Sequence, residues 1–357
     1  MHTSRRSSAR RWVSAALAAA AVAVMAGVLP AARAAAQAGP QSFPAAGQAH
    51  PQAATLATAL AQSPGVPAAG TLPVDYSFAV GFAATFALPG VAPPGANDFS
   101  CRPSAAHPYP VVLVHGTFEN MHDNWQAAAP LLANHGYCVF TFNYGGAAPG
   151  DPVQGTGEIA ASAHQLAAFV SQVLAATGAA KADLVGHSQG GMMPRWYINF
   201  LGGSKVVDKL IGLAPSNYGT SASGLFTLTQ TLSTLVPVNV LLDPGCRACV
   251  EQQTGSPFLT QLNAQPTVPG VQYTVIEAKG DEVVTPYTNA FLPPGSNVTN
   301  ITVNQQCAQD HTDHLEISYD PVALADVLNA LDPAHPVAVP CLTVLPLTGP
   351  VGPVPLS

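Results

Sequence analysis

Apolar residues fall along this chain in two spacings. Short apolar-rich runs at Pro110–Val114, Cys138–Phe142, Ala182–Val185, Leu210–Leu213, Tyr273–Glu277 and Asn300–Val303 predict strands, the continuous run at Pro110–Val114 being buried on both faces. Between them the spacing lengthens to that of a helix. Ile159, Ala163, Leu166, Phe169, Val170, Val173 and Leu174 line one side of a helix over Ile159–Ala176, and similar patterns mark Trp125–His135, the run through Trp196, Tyr197 and Phe200, and Pro321–Leu331. Strands alternating with helices predict an α/β domain, a doubly wound and mostly parallel sheet with helices on both faces.

Outside that region the pattern changes. Arg5, Arg6, Arg10 and Arg11 precede an apolar run from Val13 to Leu29 and small residues through Ala36. A basic, then apolar, then small-residue order predicts a secretory signal peptide over 1–36, the apolar run being short for a membrane span. Residues 37–72 are rich in Ala, Gln, Pro and Gly without charge or periodicity and read as a flexible linker. The folded α/β domain is expected over 73–335 and a Pro-rich C-terminal tail over 336–357. Removing the leader, with its five arginines and no acid, takes the formal net charge from −7 to −12. So acidic a chain is unsuited to nucleic acid, and it lacks a basic amphipathic helix for anionic membranes. The six cysteines all follow the leader and are expected as disulfides in an exported protein. Their spacing leaves the connectivity open, apart from Cys246-x-x-Cys249, which reads as a short-range disulfide.

The richest local signal is Gly186-His187-Ser188-Gln189-Gly190. It follows a predicted strand and precedes a helical run, the context in which G-x-S-x-G forms the nucleophile elbow of the α/β-hydrolase fold. A serine hydroxyl needs a base, and the base needs an orienting acid. In this fold they follow in the order Ser, acid, His. That order leaves His311, His314 and His335, with His335 last because it sits at the edge of the tail. Asp310-His311-Thr312-Asp313-His314 holds the other two; as a metal site this cluster lacks a further ligand motif. Asp281, in the turn after the Tyr273–Glu277 strand, is the best-placed acid, with Glu282 its rival. Backbone donors for an oxyanion are expected from Gln189, after the nucleophile, and from Thr117 at the end of the strand leading into His115-Gly116, with Phe118 as the alternative. Ser221–Leu242 is an apolar, threonine-rich stretch containing Leu225, Phe226 and Leu228. It fits either a cap or lid that binds acyl chains or an ordinary core helix. Phe118, Leu225, Phe226 and Leu228 are the candidate substrate contacts.

These motifs carry a resemblance. Pro110–Thr117, Gly186–Gly191, Leu213-Ala214-Pro215 with Gly219-Thr220, Gln252–Ser256 and Asp281–Pro286 are similar to secreted actinobacterial lipases of the lipase class 2 family. More distantly they are similar to lipase B of Candida antarctica, whose elbow lacks a histidine at the position of His187. The resemblance implies Ser188, Asp281 and His314 as the triad and Thr117 and Gln189 as oxyanion donors. It also implies Cys101–Cys138 and Cys307–Cys341 as disulfides. The expected activity is ester hydrolysis on a lipid or other aliphatic ester, without metal or cofactor. A monomer, secreted and in transient contact with lipid–water interfaces, is the expected form. A polyester hydrolase or acyltransferase on the same triad is the alternative enzyme, and a non-catalytic binding protein on this scaffold is the alternative of another class.

Overall fold

The computed structural model describes residues 71–148, 150–235 and 245–356, which lie in one compact unit. The expected leader, all but the last two residues of the expected linker, and residues 236–242 of the apolar stretch lie outside the described residues.

Six strands form the central sheet: β1 (Val111–Val114), β2 (Val139–Thr141), β3 (Ala182–His187), β4 (Val207–Leu213), β5 (Gln272–Glu277) and β6 (Val298–Thr302). Their order is β2-β1-β3-β4-β5-β6 and every pairing is parallel. The helices are α1 (Phe78–Thr85), α2 (Ala128–Asn134), α3 (Ile159–Thr177), α4 (Gln189–Met192), α5 (Pro194–Phe200), α6 (Ala222–Leu235), α7 (Arg247–Glu251), α8 (Pro257–Asn263), α9 (Val303–Gln306) and α10 (Pro321–Leu331).

Two hydrophobic clusters sit on opposite faces of the sheet because strand side chains alternate. Val111, Leu113, Val185, Ile211 and Ile276 join α1, α2, α6 and α10 in one. Val112, Val114, Leu184, Leu210 and Val275 join α3, α5 and α8 in the other. The chain runs from β1 out to β2 and returns on the other side of β1 to β3. The strand order therefore reverses between β1 and β3, and a ligand crevice forms at the carboxyl ends of strands flanking such a reversal. The expected oxyanion loop and nucleophile elbow follow those two strands.

Helix boundaries follow local chemistry. Gly178 closes α3 in the left-handed conformation (φ 74°). Asp320 caps α10 by accepting from the Val322 N–H at 2.8 Å, with Pro321 in the first turn. The sequence pattern did not predict α1. Its Phe78 and Phe82 stack on each other and Phe78 meets Tyr319 edge-on, while the Phe78 N–H donates to Glu316. A Cβ at Gly81 would collide with the Tyr319 ring, so the residue that weakens the helical pattern is the one that lets this helix dock.

Residues 336–356, most of the expected tail, are packed against the domain. The Cys307–Cys341 disulfide ties their start down. Strands β7 (Val344–Leu345) and β8 (Gly349–Pro350) form a small antiparallel hairpin. The His311 N–H donates to the Val344 carbonyl at 2.9 Å, the Ala79 N–H to that of Leu347 at 2.8 Å, and the Tyr76 hydroxyl to that of Leu356 at 2.6 Å. Proline removes donors, but the residues between the prolines supply enough main-chain contacts to hold the segment.

Candidate active site

β3 delivers Ser188 into a sharp turn. Its φ of 54° and ψ of −121° lie outside the regions open to most side chains. Two glycines make the turn sterically feasible. A Cβ at Gly186 would overlap the Gly190 carbonyl, and one at Gly190 would overlap the carbonyls of Val114 and His115. The Ser188 N–H donates to the Leu213 carbonyl at 2.9 Å, tying the elbow to β4. Ser188 is 4% exposed.

Ser188 Oγ lies 3.0 Å from His314 Nε2, and His314 Nδ1 lies 2.8 Å from Asp281 Oδ2. A carboxylate can only accept, so Nδ1 carries the hydrogen and Nε2 is left to accept from the serine hydroxyl. The other Asp281 oxygen accepts from the N–H groups of Val283 and Val284, each at 2.7 Å. His314 is fully buried. Burial opposes its charged form, but the Asp281 charge and hydrogen bond, with Glu282 and Glu119 adding to them, hold its pKa above the usual histidine value. Asp281 and His314 come from the loops after β5 and β6, and Asn304 of α9 joins those loops. Its side chain accepts from the Lys279 N–H at 2.7 Å and donates to the Asp310 carbonyl at 2.6 Å.

Thr117 lies beside the elbow. Its Oγ1 accepts from Gln189 Nε2 at 2.7 Å and from Gln252 Nε2 at 2.9 Å. The Gln252 amide is oriented by Ser216 Oγ, which donates to its Oε1 at 2.9 Å. A hydroxyl has two acceptor positions and one hydrogen. With both acceptor positions taken, the Thr117 hydroxyl is fixed as a donor. The Gln189 N–H opens α4, where no earlier helical carbonyl accepts it. The Phe118 N–H, the alternative donor, is engaged by the Gln154 carbonyl at 2.9 Å.

Other expected residues lie elsewhere. His311 is exposed, and the hydrogen bond from its N–H to Val344 runs along the main chain. His335 is exposed beside Asp332. The Asp310–His314 cluster is thus divided between surface and interior, and among the described residues no three His, Cys, Asp or Glu side chains are grouped to hold a metal ion. Glu282 makes no hydrogen bond to the His314 ring; its Oε2 accepts from the His314 main-chain N–H at 3.5 Å. Burial, then Asp313, raises its pKa to about 7, against the opposing pull of His314. Phe118 and Leu228 are core residues and Leu225 is buried, whereas Phe226 is 61% exposed. Three to four residues bring a helix back to the same face, so Leu225, Leu228 and Leu232 turn inward and Phe226 outward. The apolar stretch is thus a partly buried helix over its described part, and its three candidate contacts, with Phe118 as the fourth, do not form one wall. A cleft of about 550 Å³ beside the acid and histidine loops is lined by Thr231, Lys279, Glu282, Asn304, His311 and Asp313 among others, and by none of those four.

Sequence reasoning missed two supporting groups. Gln252 lies in a motif that carried the resemblance, yet nothing local ties it to Thr117. Glu277 ends β5 fully buried beside Asp281; desolvation, then the charge of Asp281, pushes its carboxyl well above its ordinary value.

The described residues carry three disulfides, Cys101–Cys138, Cys246–Cys249 and Cys307–Cys341. A parallel sheet with a Ser–His–Asp constellation at the carboxyl ends of its strands defines an α/β-hydrolase. Residues 108–325 match the lipase (class 2) family, and the chain belongs to that family. Over 97 residues, 26% of this chain, it is 45% identical to a triacylglycerol lipase of Pseudarthrobacter phenanthrenivorans, covering 28% of that protein. It is equally identical, over the same share of this chain, to a triacylglycerol lipase of Burkholderia plantarii, covering 25% of it. The chain thus spans about a quarter of the length of these curated relatives. The crystal structure of Aspergillus fumigatus lipase B is similar in fold, with a TM-score of 0.51 and 20% identity over 78% of this chain and 64% of that one.

Proposed function

We propose that this protein is a secreted serine ester hydrolase that cleaves lipid or other uncharged aliphatic esters through an acyl-enzyme on Ser188. The observation that carries this reading is the continuous path from Ser188 Oγ through His314 to Asp281, at 3.0 and 2.8 Å. His314 removes the hydroxyl proton as Ser188 attacks the ester carbonyl, and Asp281 stabilises the imidazolium that results. The Gln189 and Thr117 N–H groups and the fixed Thr117 hydroxyl offer hydrogen bonds to the developing oxyanion. His314 then passes its proton to the departing alcohol. Water, activated by His314 in the same way, releases the acid and restores Ser188. Export is supported by the leader pattern and by three disulfides, which persist in oxidising compartments. Uncharged acyl groups are favoured because the site is buried and an unpaired charge is expensive to desolvate.

The test is a chain-length series of chromogenic esters against wild type and Ser188→Ala, with a serine-directed phosphonate as active-site label. The expected result is turnover and labelling in wild type and neither in the variant. Labelling at another serine, or no turnover of any ester by wild type, would refute the reading and favour a binding role.

A further inference from the structure

We propose that His187 is held as a buried imidazolium by Glu119, and that it positions the base of the triad by donating a hydrogen bond to the main-chain carbonyl of His314. The positioning role rests on the reading of His314 as that base. His187 is the last residue of β3, directly before Ser188, and is fully buried. Its two ring nitrogens both face acceptors. Nδ1 lies 2.9 Å from Glu119 Oε2, and Nε2 lies 2.8 Å from the His314 carbonyl oxygen. A peptide carbonyl offers only lone pairs, so Nε2 must carry a hydrogen. A neutral ring with its hydrogen there would aim a bare lone pair from Nδ1 at a carboxylate. The contacts are satisfied together when Nδ1 also carries a hydrogen, and the ring is then a cation.

The surroundings suit an ionised Glu119. Its Oε2 also accepts from the Gly116 N–H at 3.1 Å, and its Oε1 accepts from Asn124 Nδ2 at 3.2 Å. Asn124 Nδ2 also approaches His187 Nδ1, at 3.1 Å. The Asn124 amide is oriented by Gly116, whose N–H donates to its Oδ1 at 3.0 Å. Its two hydrogens are then accounted for by Glu119 Oε1 and by Ser318 Oγ, at 3.2 Å, so Nδ1 is not needed as their acceptor. A Cβ at Gly116 would overlap Glu119 Oε2 and approach His187 Nδ1. The glycine after β1 therefore makes room for the pair.

The arrangement links nucleophile and base through one side chain. His187 shares the rigid elbow with Ser188, and its Nε2–H holds the main chain of the residue whose ring must reach both Ser188 and Asp281. The His187 and His314 rings lie 5.2 Å apart between centroids. Asp281, Glu282 and Glu119 act on His314 as negative charges, and His187 is the cation set against them. His115, the other histidine near the pair, is pushed down to about 3 by burial, with a hydrogen bond to Gly116 opposing and the charge of His187 lowering it further. It stays neutral and does not compete for Glu119.

The test has a spectroscopic and a kinetic arm. In protein labelled with ¹⁵N-histidine, NMR at about pH 8.5, some two units above the ordinary histidine pKa, should show one ring that keeps both nitrogen-bound hydrogens and is absent from His187→Phe. Glu119→Gln should turn that ring neutral at the same pH. A neutral His187 ring in wild type, with the proton on Glu119, overturns the proposal. In the kinetic arm, His187→Phe should lose kcat by on the order of 100-fold, the scale of a misplaced catalytic group, with KM on a short-chain ester little changed. The acid limb of kcat/KM should move to higher pH, because the cation beside His314 is gone. Glu119→Gln, which keeps the Nε2 donor, should retain more of kcat. Wild-type kcat with an unshifted profile in His187→Phe would overturn the positioning role. If His187→Phe does not fold, wild-type and Glu119→Gln spectra decide the question, with Glu119→Gln supplying the assignment by its own shift. Turnover surviving in Ser188→Ala would sink the triad reading and leave the spectroscopic result standing.

Discussion

The turn that carries Ser188 is written in one short stretch, whereas Asp281 and His314 come together from two separate loops. The elbow is a continuous stretch from Gly186 to Gly190, and its geometry follows from two steric demands against backbone atoms. Asp281 and His314 lie 33 residues apart. They meet because β5 and β6 are adjacent and parallel, because Asn304 bonds to both loops, and because the C-terminal hairpin and the Cys307–Cys341 disulfide hold the start of the histidine loop. The proposed nucleophile can thus be built from a short motif, while its proposed partners depend on the whole sheet. Damage to the elbow should act locally and steeply. Damage to the other arm should act through stability and alignment together.

The largest expected effect is on the elbow side. Ser188→Ala should lower kcat by on the order of 10⁶-fold while the unfolding midpoint stays near that of wild type, since such a triad works as a unit; initial rates and thermal melts check both. On the other arm, Asp281→Asn should cost roughly 10⁴-fold in kcat by presenting the wrong hydrogen-bonding pattern to His314. Glu282→Gln should stay within about tenfold, since Glu282 makes no hydrogen bond to the ring, a difference of roughly 1.4 kcal/mol in barrier at most. Equal losses in the two variants would erase the distinction between the acids. His314→Ala against His311→Ala gives the same comparison for the base, with His311→Ala close to wild type.

Gly190→Ala probes the elbow by sterics alone. The added methyl meets main-chain oxygens that cannot rotate away, so a stability loss of about 3 kcal/mol is expected, at the upper end for overpacking, together with loss of activity. On the other arm, replacing Cys307 and Cys341 together by serine should also cost about 3 kcal/mol. Denaturant titration checks both. Activity in the serine variant should fall earlier with temperature than the melting of β-sheet signal, because the histidine loop loosens first.

The smallest effect is set by pH. His314 has a raised pKa, so the kcat/KM profile should fall on its acid side through a value above 6.5. Its stabilising contribution is fully present below the unfolded histidine pKa and lost as pH rises through the folded one. Several buried carboxyls act in the same direction. Burial raises Glu316 to about 10, Asp183 to about 7 and Asp326 to about 6, against the opposing pull of the Phe78 N–H, Lys209 and Gln306 respectively. The folded chain thus binds more protons than the unfolded chain from about pH 4 upward. The melting temperature should therefore be higher near pH 5 than near pH 8.5, the reverse of the activity trend, and melts across that range test it. A melting temperature that rises with pH would contradict these environments.

The sequence by itself determined the six strands, the main helices against them and the elbow. Each of these is written in adjacent residues, as an apolar run, a helical period or a steric need for glycine. The C-terminal half of the site was legible only as a shortlist. His311 and His314 are three residues apart and chemically identical, and only the packing of their loop turns one into the interior and leaves the other in solvent. Helix α1 and the hairpin over residues 343–351 were missed because Gly81, Gly349 and the prolines weaken any local pattern. Their stability comes instead from contacts with Tyr319, Glu316 and the main chain of the histidine loop. The Glu119–His187 pair, 68 residues apart, and the Gln252–Thr117 bond, spanning 135, belong to the same class. Local periodicity reports which residues must be buried and where the backbone must turn, but which buried polar groups meet is set by strand order and loop packing, and only the folded chain decides it.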